Sequence, residues 1–367
     1  MQEEDLAVTV TMHKYKVVVY AIAKNESSFV ERWYNSMKEA DQIYVLDTGS
    51  TDDTVSKLKN LGVNVETKII SPWRFDVARN ESLNLVPEDT DICVCTDLDE
   101  VFSPGWRESL ESSWNDGNRL RYLYNWSLDE NDLPRVSFLY EKIHDRHHYK
   151  WVYPVHEVLS CSLENESVNV DKSIVLNHYP DSTKSRSSYL PLLELSVKEN
   201  PDNDRNLHYL GREYMYYGKW NECIDTLIKH LRVKSSTWKN ERSASMRYIS
   251  RAYINLGRLD EASMWLDKAI LECPDTREAY VEKAMLDYQC GKYADVIKNC
   301  LKAKTIKQKD LIYINEVFCW DSTIDDLLSL SFYNLGLKDE ALFYINKAIK
   351  LNPTDERLKK NKEEFEK

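Results

Sequence analysis

The 367-residue chain has only nine glycines, and neither G-x-G-x-x-G nor G-x-x-x-x-G-K-[ST] occurs in it. Both motifs work by exposing backbone amides to phosphate, so dinucleotide-dependent oxidoreductases and P-loop enzymes lose their main support. Five of the nine, Gly211, Gly218, Gly257, Gly291 and Gly336, lie in the second half. A phosphate ligand in the first half would therefore need a metal ion to receive it. Long apolar runs are also missing. The longest is seven residues, 17–23, whereas a membrane-spanning helix needs about 20. The N-terminus, MQEEDLAVTVTMHKYK, opens with acids and lacks an apolar core, so no secretion signal is expected. Positive charge is not in excess: 49 Lys and Arg face 61 Asp and Glu, for a net charge of -12. That disfavours nonspecific binding to nucleic acid or anionic membranes. Eight cysteines are present without a C-x-x-C pair. The common zinc and thioredoxin spacings are absent, and the thiols are expected to be small buried core residues of a cytoplasmic protein.

What is there changes character near residue 190. At roughly 150 residues per domain the length suggests two or three domains, and we expect boundaries of 1–190 and 191–367. In the first part, the segments 17–23 (VVVYAIA), 43–46 (IYVL) and 92–94 (ICV) are short, apolar and β-rich, as buried parallel strands are. Between them, Phe29, Val30, Trp33 and Met37 recur at helical spacing, and 52–61 starts on capping residues and stops at Gly62. This β–α–β–α–β order predicts an α/β domain with a parallel, doubly wound sheet.

From about residue 202 no strand pattern is visible, and an internal repeat takes over. Its units carry Gly211, Tyr214, Gly218 and Leu227; then Tyr253, Gly257, Ala262, Leu266, Ala269 and Pro274; then Ala284, Gly291, Val296, Cys300 and Ala303; and last Phe332, Gly336, Ala341, Ile345, Ala348 and Pro353. The spacings Gly218–Gly257, Gly257–Gly291 and Gly291–Gly336 are 39, 34 and 45 residues, so two units carry insertions of 5 and 11. The second and fourth units keep the pattern most fully. This pattern resembles the tetratricopeptide repeat, whose period is about 34. It implies an all-α solenoid with a groove that docks a peptide or protein, or alternatively a packing or homodimer module.

Ligands of open α/β sheets sit beyond the carboxyl ends of the strands. Those ends carry Lys24–Asn25–Glu26, then Asp47–Thr48–Gly49–Ser50–Thr51–Asp52, then Asp97–Leu98–Asp99–Glu100. Residues two apart on an extended segment face the same way, so Asp97 and Asp99 form a carboxylate pair suited to a hard divalent cation. Such a cation suits a diphosphate leaving group. Asp47 reads as a turn former or as an acceptor for a nucleoside. The Arg79 fork reads as a diphosphate contact, as an orienting partner of Asp97, or as an ordinary salt bridge.

The segments AIAKNES (21–27), YVLDTGSTDDT (44–54), FDVARNES (75–82) and CTDLDEVF (95–102) together resemble the family 2 glycosyltransferases of GT-A fold, over roughly residues 15–110. The chain is most similar to a bacterial branch that includes lipopolysaccharide-core β-glucosyltransferases and peptide S-glycosyltransferases. The resemblance implies a nucleotide-sugar donor, a Mn²⁺ or Mg²⁺ ion and inversion at the sugar carbon. It places the nucleoside against Ala23, Glu26 and Asp47, and the metal-diphosphate at Asp97 and Asp99. Later segments fit the same branch: YPVHEV (153–158) offers Glu157 as the base, with His156 as the alternative, and LNHYP (176–180) offers His178 as a third metal ligand. The cluster His144, His147 and His148 reads as part of a polar loop, whose neighbours Tyr149 and Trp151 either stack on a sugar or simply pack.

The expectation is an inverting, metal-dependent glycosyltransferase that moves one hexose, with UDP as the nucleotide, to a peptide or protein acceptor. No Q-x-x-R-W motif of processive polysaccharide synthases is present. Two other readings are an interaction scaffold that has lost catalysis, and a sugar nucleotidyltransferase, whose glycine-rich loop is missing.

Overall fold

The computed structural model of the chain describes residues 13–181, 184 and 186–367. It divides into two compact units, 1–184 and 185–367. The first alternates strand and helix: β1 Val17–Ala23, α1 Val30–Met37, β2 Gln42–Asp47, α2 Thr54–Asn60, β3 Asn64–Thr67, α3 Phe75–Asn84 and β4 Ile92–Cys95. It continues with β5 Glu100–Phe102, α4 Trp106–Trp114, β6 Arg119–Leu128, β7 Pro134–Asp145, β8 Tyr149–Val152, β9 Val158–Cys161 and β10 Val168–His178.

Eight strands form one sheet in the order β3-β2-β1-β4-β7-β6-β10-β5. The four strands β3, β2, β1 and β4 run parallel, as the sequence order predicts for β1, β2 and β4; β3, short and largely exposed, is not among the expected strands. Beyond β4 the sheet turns mixed. β7 is antiparallel to both β4 and β6, β10 is parallel to β6, and β5 closes the edge antiparallel to β10. β8 and β9 make a separate hairpin.

β1 is central and buried on both faces, which explains its unbroken apolar run. Val17, Val19 and Ala21 pack with Trp33 and Met37 of α1. The alternate residues Val18 and Tyr20 pack with Leu83, Cys93, Cys95 and Trp151 on the opposite side. His144 is fully buried in β7, not in a loop. Its Nδ1 donates to the Asp145 carbonyl (2.6 Å), and Nε2 accepts from the Tyr20 hydroxyl (2.7 Å). Trp151 Nε1 donates to that same hydroxyl (2.9 Å). Of the two roles open to Tyr149 and Trp151, the structure shows packing: both are buried in β8.

The second unit is helical: α5 Tyr189–Glu199, α6 Asp204–Tyr216, α7 Trp220–Arg232, α8 Lys239–Asn255, α9 Leu259–Glu272, α10 Glu278–Gln289 and α11 Tyr293–Thr305. A 3-10 turn at Val317–Cys319 follows, then α12 Thr323–Asn334, α13 Lys338–Leu351 and α14 Glu356–Glu366. Gly218, Gly257, Gly291 and Gly336 fall at the turns inside the pairs α6/α7, α8/α9, α10/α11 and α12/α13. Gly257 takes φ 74°, a backbone angle that a side chain would strain. Gly211 has another purpose: a Cβ there would lie 2.4 Å from Leu227, so its bareness lets α6 and α7 approach. The 11-residue insertion before the last pair is itself part of the core. Ile314 packs with α6–α8, and Cys319 packs with α10–α12, which explains the departure of the third unit from the repeat pattern. Six of the eight cysteines are buried, Cys161 is half-buried, and Cys290 is exposed, contrary to the sequence expectation. Cys290 caps α10 just before the Gly291 turn, where the chain leaves the core.

Candidate active site

β1 and β2 end side by side, and their loops brace each other. Asn25 N–H donates to Ser50 Oγ (2.8 Å), and Thr51 N–H donates to Asn25 Oδ1 (2.8 Å). Ala23, buried at the end of β1, accepts Thr48 N–H on its carbonyl (2.8 Å). The buried Asp47 carboxylate accepts Gly49 N–H (3.2 Å) and Ser50 N–H (3.1 Å), so it shapes the turn. Glu26 N–H donates to Thr54 Oγ1 (2.8 Å). The Glu26 side chain is buried and paired through Oε1 with Lys184. Its Oε2 has no hydrogen-bond partner among the described residues. Burial raises the Glu26 carboxyl to about 7 despite Lys184.

The segment after β4 is held from three sides. Asp97 Oδ1 accepts from Arg79 Nη2 (2.5 Å), Asp97 Oδ2 accepts from Lys142 Nζ (3.0 Å), and Asp97 N–H donates to Glu100 Oε2 (2.9 Å). Burial opposes ionisation of Asp97, but the two cations win and hold its carboxyl well below the usual range. Arg79, on α3, also donates through Nε to Glu157 Oε1 (3.0 Å) and lies 3.7 Å from Cys95 Sγ. One buried guanidinium thus joins the carboxylate pair to the expected base. Glu100 is almost fully buried, and burial pushes its carboxyl up even with Lys142 Nζ 3.6 Å away.

Asp99 differs from Asp97. Among the described residues no lysine or arginine pairs with it, and it faces His178 Nε2 at 3.4 Å. His178 Nδ1 donates to the Trp126 carbonyl (3.0 Å), which leaves the Nε2 lone pair of the neutral ring on the Asp99 side. Burial lowers the basicity of His178, and the Asp99 contact more than reverses this, so its pKa stands above the usual imidazole value. Asp99 and His178 therefore present an oxygen and a nitrogen donor, with a backbone carbonyl fixing the imidazole, an arrangement common around metal ions. A divalent cation fits this pair. Asp97, already bonded on both oxygens, is placed to hold Arg79 and Lys142.

The structure brings Glu26, Asp47, Asp97, Asp99, Arg79, Glu157 and His178 to the carboxyl edge of the sheet. His156 adjoins Glu157 in the left-handed region, φ 50°. Two residues escaped the sequence reading, Lys142 and Lys184, while Glu100 appears there only as part of an acidic strand end. For Lys142 a signal existed. It sits between Tyr140 and His144 at strand spacing, and a lysine on a buried strand face calls for a carboxylate partner. β7 pairs with β4 through Val94 and Ile143, so Lys142 arrives beside the end of β4.

Residues 18–156 match the family described as Glycosyl transferase family 2, and residues 249–276 and 327–355 match the tetratricopeptide repeat. The chain therefore carries a family 2 glycosyltransferase domain of GT-A-like α/β fold, followed by a tetratricopeptide-repeat region. An uncharacterized glycosyltransferase of Rickettsia bellii is 32% identical over 133 residues, which is 35% of this chain and 44% of that protein. One from Rickettsia conorii is 36% identical over 112 residues, 29% of this chain and 37% of that protein. The SPbeta prophage-derived glycosyltransferase SunS of Bacillus subtilis is 24% identical over 241 residues, 59% of this chain and 52% of that protein. The chain thus spans about half or less of each of these relatives. A tetratricopeptide protein of Thermus thermophilus overlays with a TM-score of 0.36 at 19% identity, covering 49% of this chain and 89% of that one. Among the described residues no helix is long and apolar enough to cross a membrane.

Proposed function

We propose that the chain is an inverting, metal-dependent glycosyltransferase that moves one hexose from a UDP-sugar to a peptide or protein. The observation that carries this reading is the meeting of Glu26, Asp47, Asp97 and Asp99 at adjoining strand ends, with His178 against Asp99. Nucleoside recognition falls to the floor made by Ala23, Glu26 and Asp47, where Glu26 Oε2 is buried without a hydrogen-bond partner among the described residues. Asp99 and His178 would hold Mn²⁺ or Mg²⁺, which neutralises charge on the departing diphosphate when bound. An imidazole in the set favours Mn²⁺. Arg79 and Lys142 fix Asp97 and bring positive charge to the same edge, so donor phosphates meet a preorganised field.

In a single displacement the acceptor attacks the anomeric carbon from the face opposite the diphosphate and must lose a proton. Glu157 is the proposed base, held by Arg79 Nε through Oε1; His156 is the alternative. A cysteine acceptor would ask less of this base, since a thiol pKa is about 8.5. The repeat region supports a polypeptide acceptor, and homodimer formation through it is a further proposal. A cytoplasmic location is proposed from the cysteine pattern and the lack of a long apolar run. The test is release of nucleoside diphosphate from UDP-, GDP-, CDP- and dTDP-sugars with Mn²⁺ present or chelated. We expect metal-dependent release with a UDP-sugar. No release with any donor, from protein that still binds partners through its repeats, would overturn the enzyme reading in favour of a scaffold.

A further inference from the structure

We propose that the repeat region contains a separate transition-metal site, built from His208, His230 and Glu241 and suited to Zn²⁺. These residues come from α6, α7 and α8, and all three side chains are buried. One ligand atom from each lies within 4.8 Å of the others, the only such group of three among the described residues. His230 Nε2 and Glu241 Oε1 are 3.4 Å apart. With zinc–ligand bonds of about 2.0–2.1 Å, the edge of a tetrahedral site is about 3.3 Å.

The surroundings prepare the donors. Ser245 Oγ lies 2.8 Å from His208 Nδ1 and 3.0 Å from His230 Nδ1. A hydroxyl oxygen has two lone pairs, so it accepts an N–H from both rings. Both imidazoles are then neutral with their Nε2 lone pairs outward, as two metal-binding histidines require. His208 Nε2 is fully buried and has no hydrogen-bond partner among the described residues. That atom is unexplained by the fold, because buried polar atoms are nearly always bonded. The Tyr313 hydroxyl donates to Glu241 Oε2 (2.5 Å), which orients the carboxylate and leaves Oε1 towards His230. Ser236 Oγ lies 3.1 Å from His230 Nε2 and donates to that lone pair, a contact that an entering ion would displace.

Arg205 and Arg212, each over the Tyr209 ring (4.8 and 4.6 Å), lie close enough to His208 to disfavour positive charge there and so act against a dication. Binding must therefore rest on coordination bonds to nitrogen, which selects Zn²⁺ and its neighbours over Ca²⁺ or Mg²⁺.

The test uses the full chain carrying Asp99→Ala, which removes the cation proposed at the sheet edge. After metal is stripped, Co²⁺ is titrated and followed by visible absorption. We expect one Co²⁺ per chain with the strong bands of a low-coordinate site, no thiolate charge-transfer band, and displacement by Zn²⁺. Adding His208→Gln should weaken binding by more than ~100-fold, and adding Ser245→Ala, which keeps all three ligands, by about 10–100-fold. Circular dichroism confirms that each variant folds. Absence of a saturable Co²⁺ spectrum, or unchanged affinity in His208→Gln, would overturn the site and leave a plain hydrogen-bonded cluster. If His208→Gln does not fold, unchanged affinity in Ser245→Ala overturns it instead.

Discussion

In each half of the chain two cations converge on one carboxylate, Arg79 and Lys142 on Asp97 and Arg247 and Arg251 on Glu282, yet the two networks are finished differently. In the helical half, Glu282 spends both oxygens internally: Oε1 accepts from Arg247 (2.7 Å) and Arg251 (2.8 Å), and Oε2 accepts from Arg251 (3.0 Å). Arg247 and Arg251 also reach Glu316 on the insertion. In the sheet half, Arg79 and Lys142 close around Asp97, but nearby Asp99 is, among the described residues, paired only with the His178 imidazole. Asp97 and Asp99 keep 33% and 20% of their side-chain surface exposed, against 8% for Glu282. The composition is alike, and what separates a tie between helices from a candidate binding edge is the capacity left open to solvent.

The largest test of this contrast is Asp99→Ala. If the open carboxylate receives the cation, turnover should fall about 10²–10³-fold with the melting temperature nearly unchanged, in line with the loss of one major transition-state stabiliser. Steady-state rates and a thermal scan of the same protein read both. Next is Lys142→Met, which leaves Asp97 and Glu100 facing each other with only Arg79 to compensate. Breaking a buried pair from one side costs roughly 3–5 kcal/mol, and urea unfolding should show a loss near the low end, since Asp97 is partly exposed. Arg247→Met should cost less, about 1–2 kcal/mol, because Arg251 still holds both oxygens of Glu282. Equal losses would break the comparison.

Glu26→Gln sharpens it from the other side. Burial raises the Glu26 carboxyl to about 7 from 4.5. Its contribution is intact below pH 4.5 and is lost as pH rises through 7, because the folded chain holds the proton longer. The variant should gain about 1–2 kcal/mol over wild type at pH 8, with the advantage shrinking at pH 5. The smallest effect per unit is common to both halves. Burial lowers His144 to about 4 and His208 to about 3. The unfolded chain then binds more protons below pH 6.5, so stability is full above that value and falls on acidification. The slope is about 1 kcal/mol per pH unit for each ring, measurable as urea midpoints between pH 7.5 and 5.

The sequence made the parallel half of the sheet legible because β1, β2 and β4 are buried on both faces and read as plain apolar runs. The acidic strand ends followed from that placement, as did the helix pairs from their turn glycines. β7 and β10 were harder: they mix charged and aromatic residues, and their partners are far along the chain. Lys142 was missed for this reason, since its ion pair with Asp97 crosses 45 residues. The partners of Arg79 were only partly readable. An orienting link to Asp97 is one of the roles the sequence offers for it, but its simultaneous hold on Glu157 depends on where β8 and β9 bring the chain back.

The central claim is that the carboxyl edge of the sheet binds a metal-nucleoside diphosphate. The direct measurement is thermal melting with UDP, GDP, CDP and dTDP, each with Mn²⁺ and again with EDTA, on wild type and Asp99→Ala. A ligand at 100 times its dissociation constant adds about 2.7 kcal/mol, enough to raise the melting temperature by several degrees. The account predicts such a rise with UDP and Mn²⁺ together, beyond that of Mn²⁺ alone, abolished by EDTA and by Asp99→Ala. No nucleotide-dependent shift with any of the four, or a shift indifferent to both EDTA and Asp99→Ala, would contradict it.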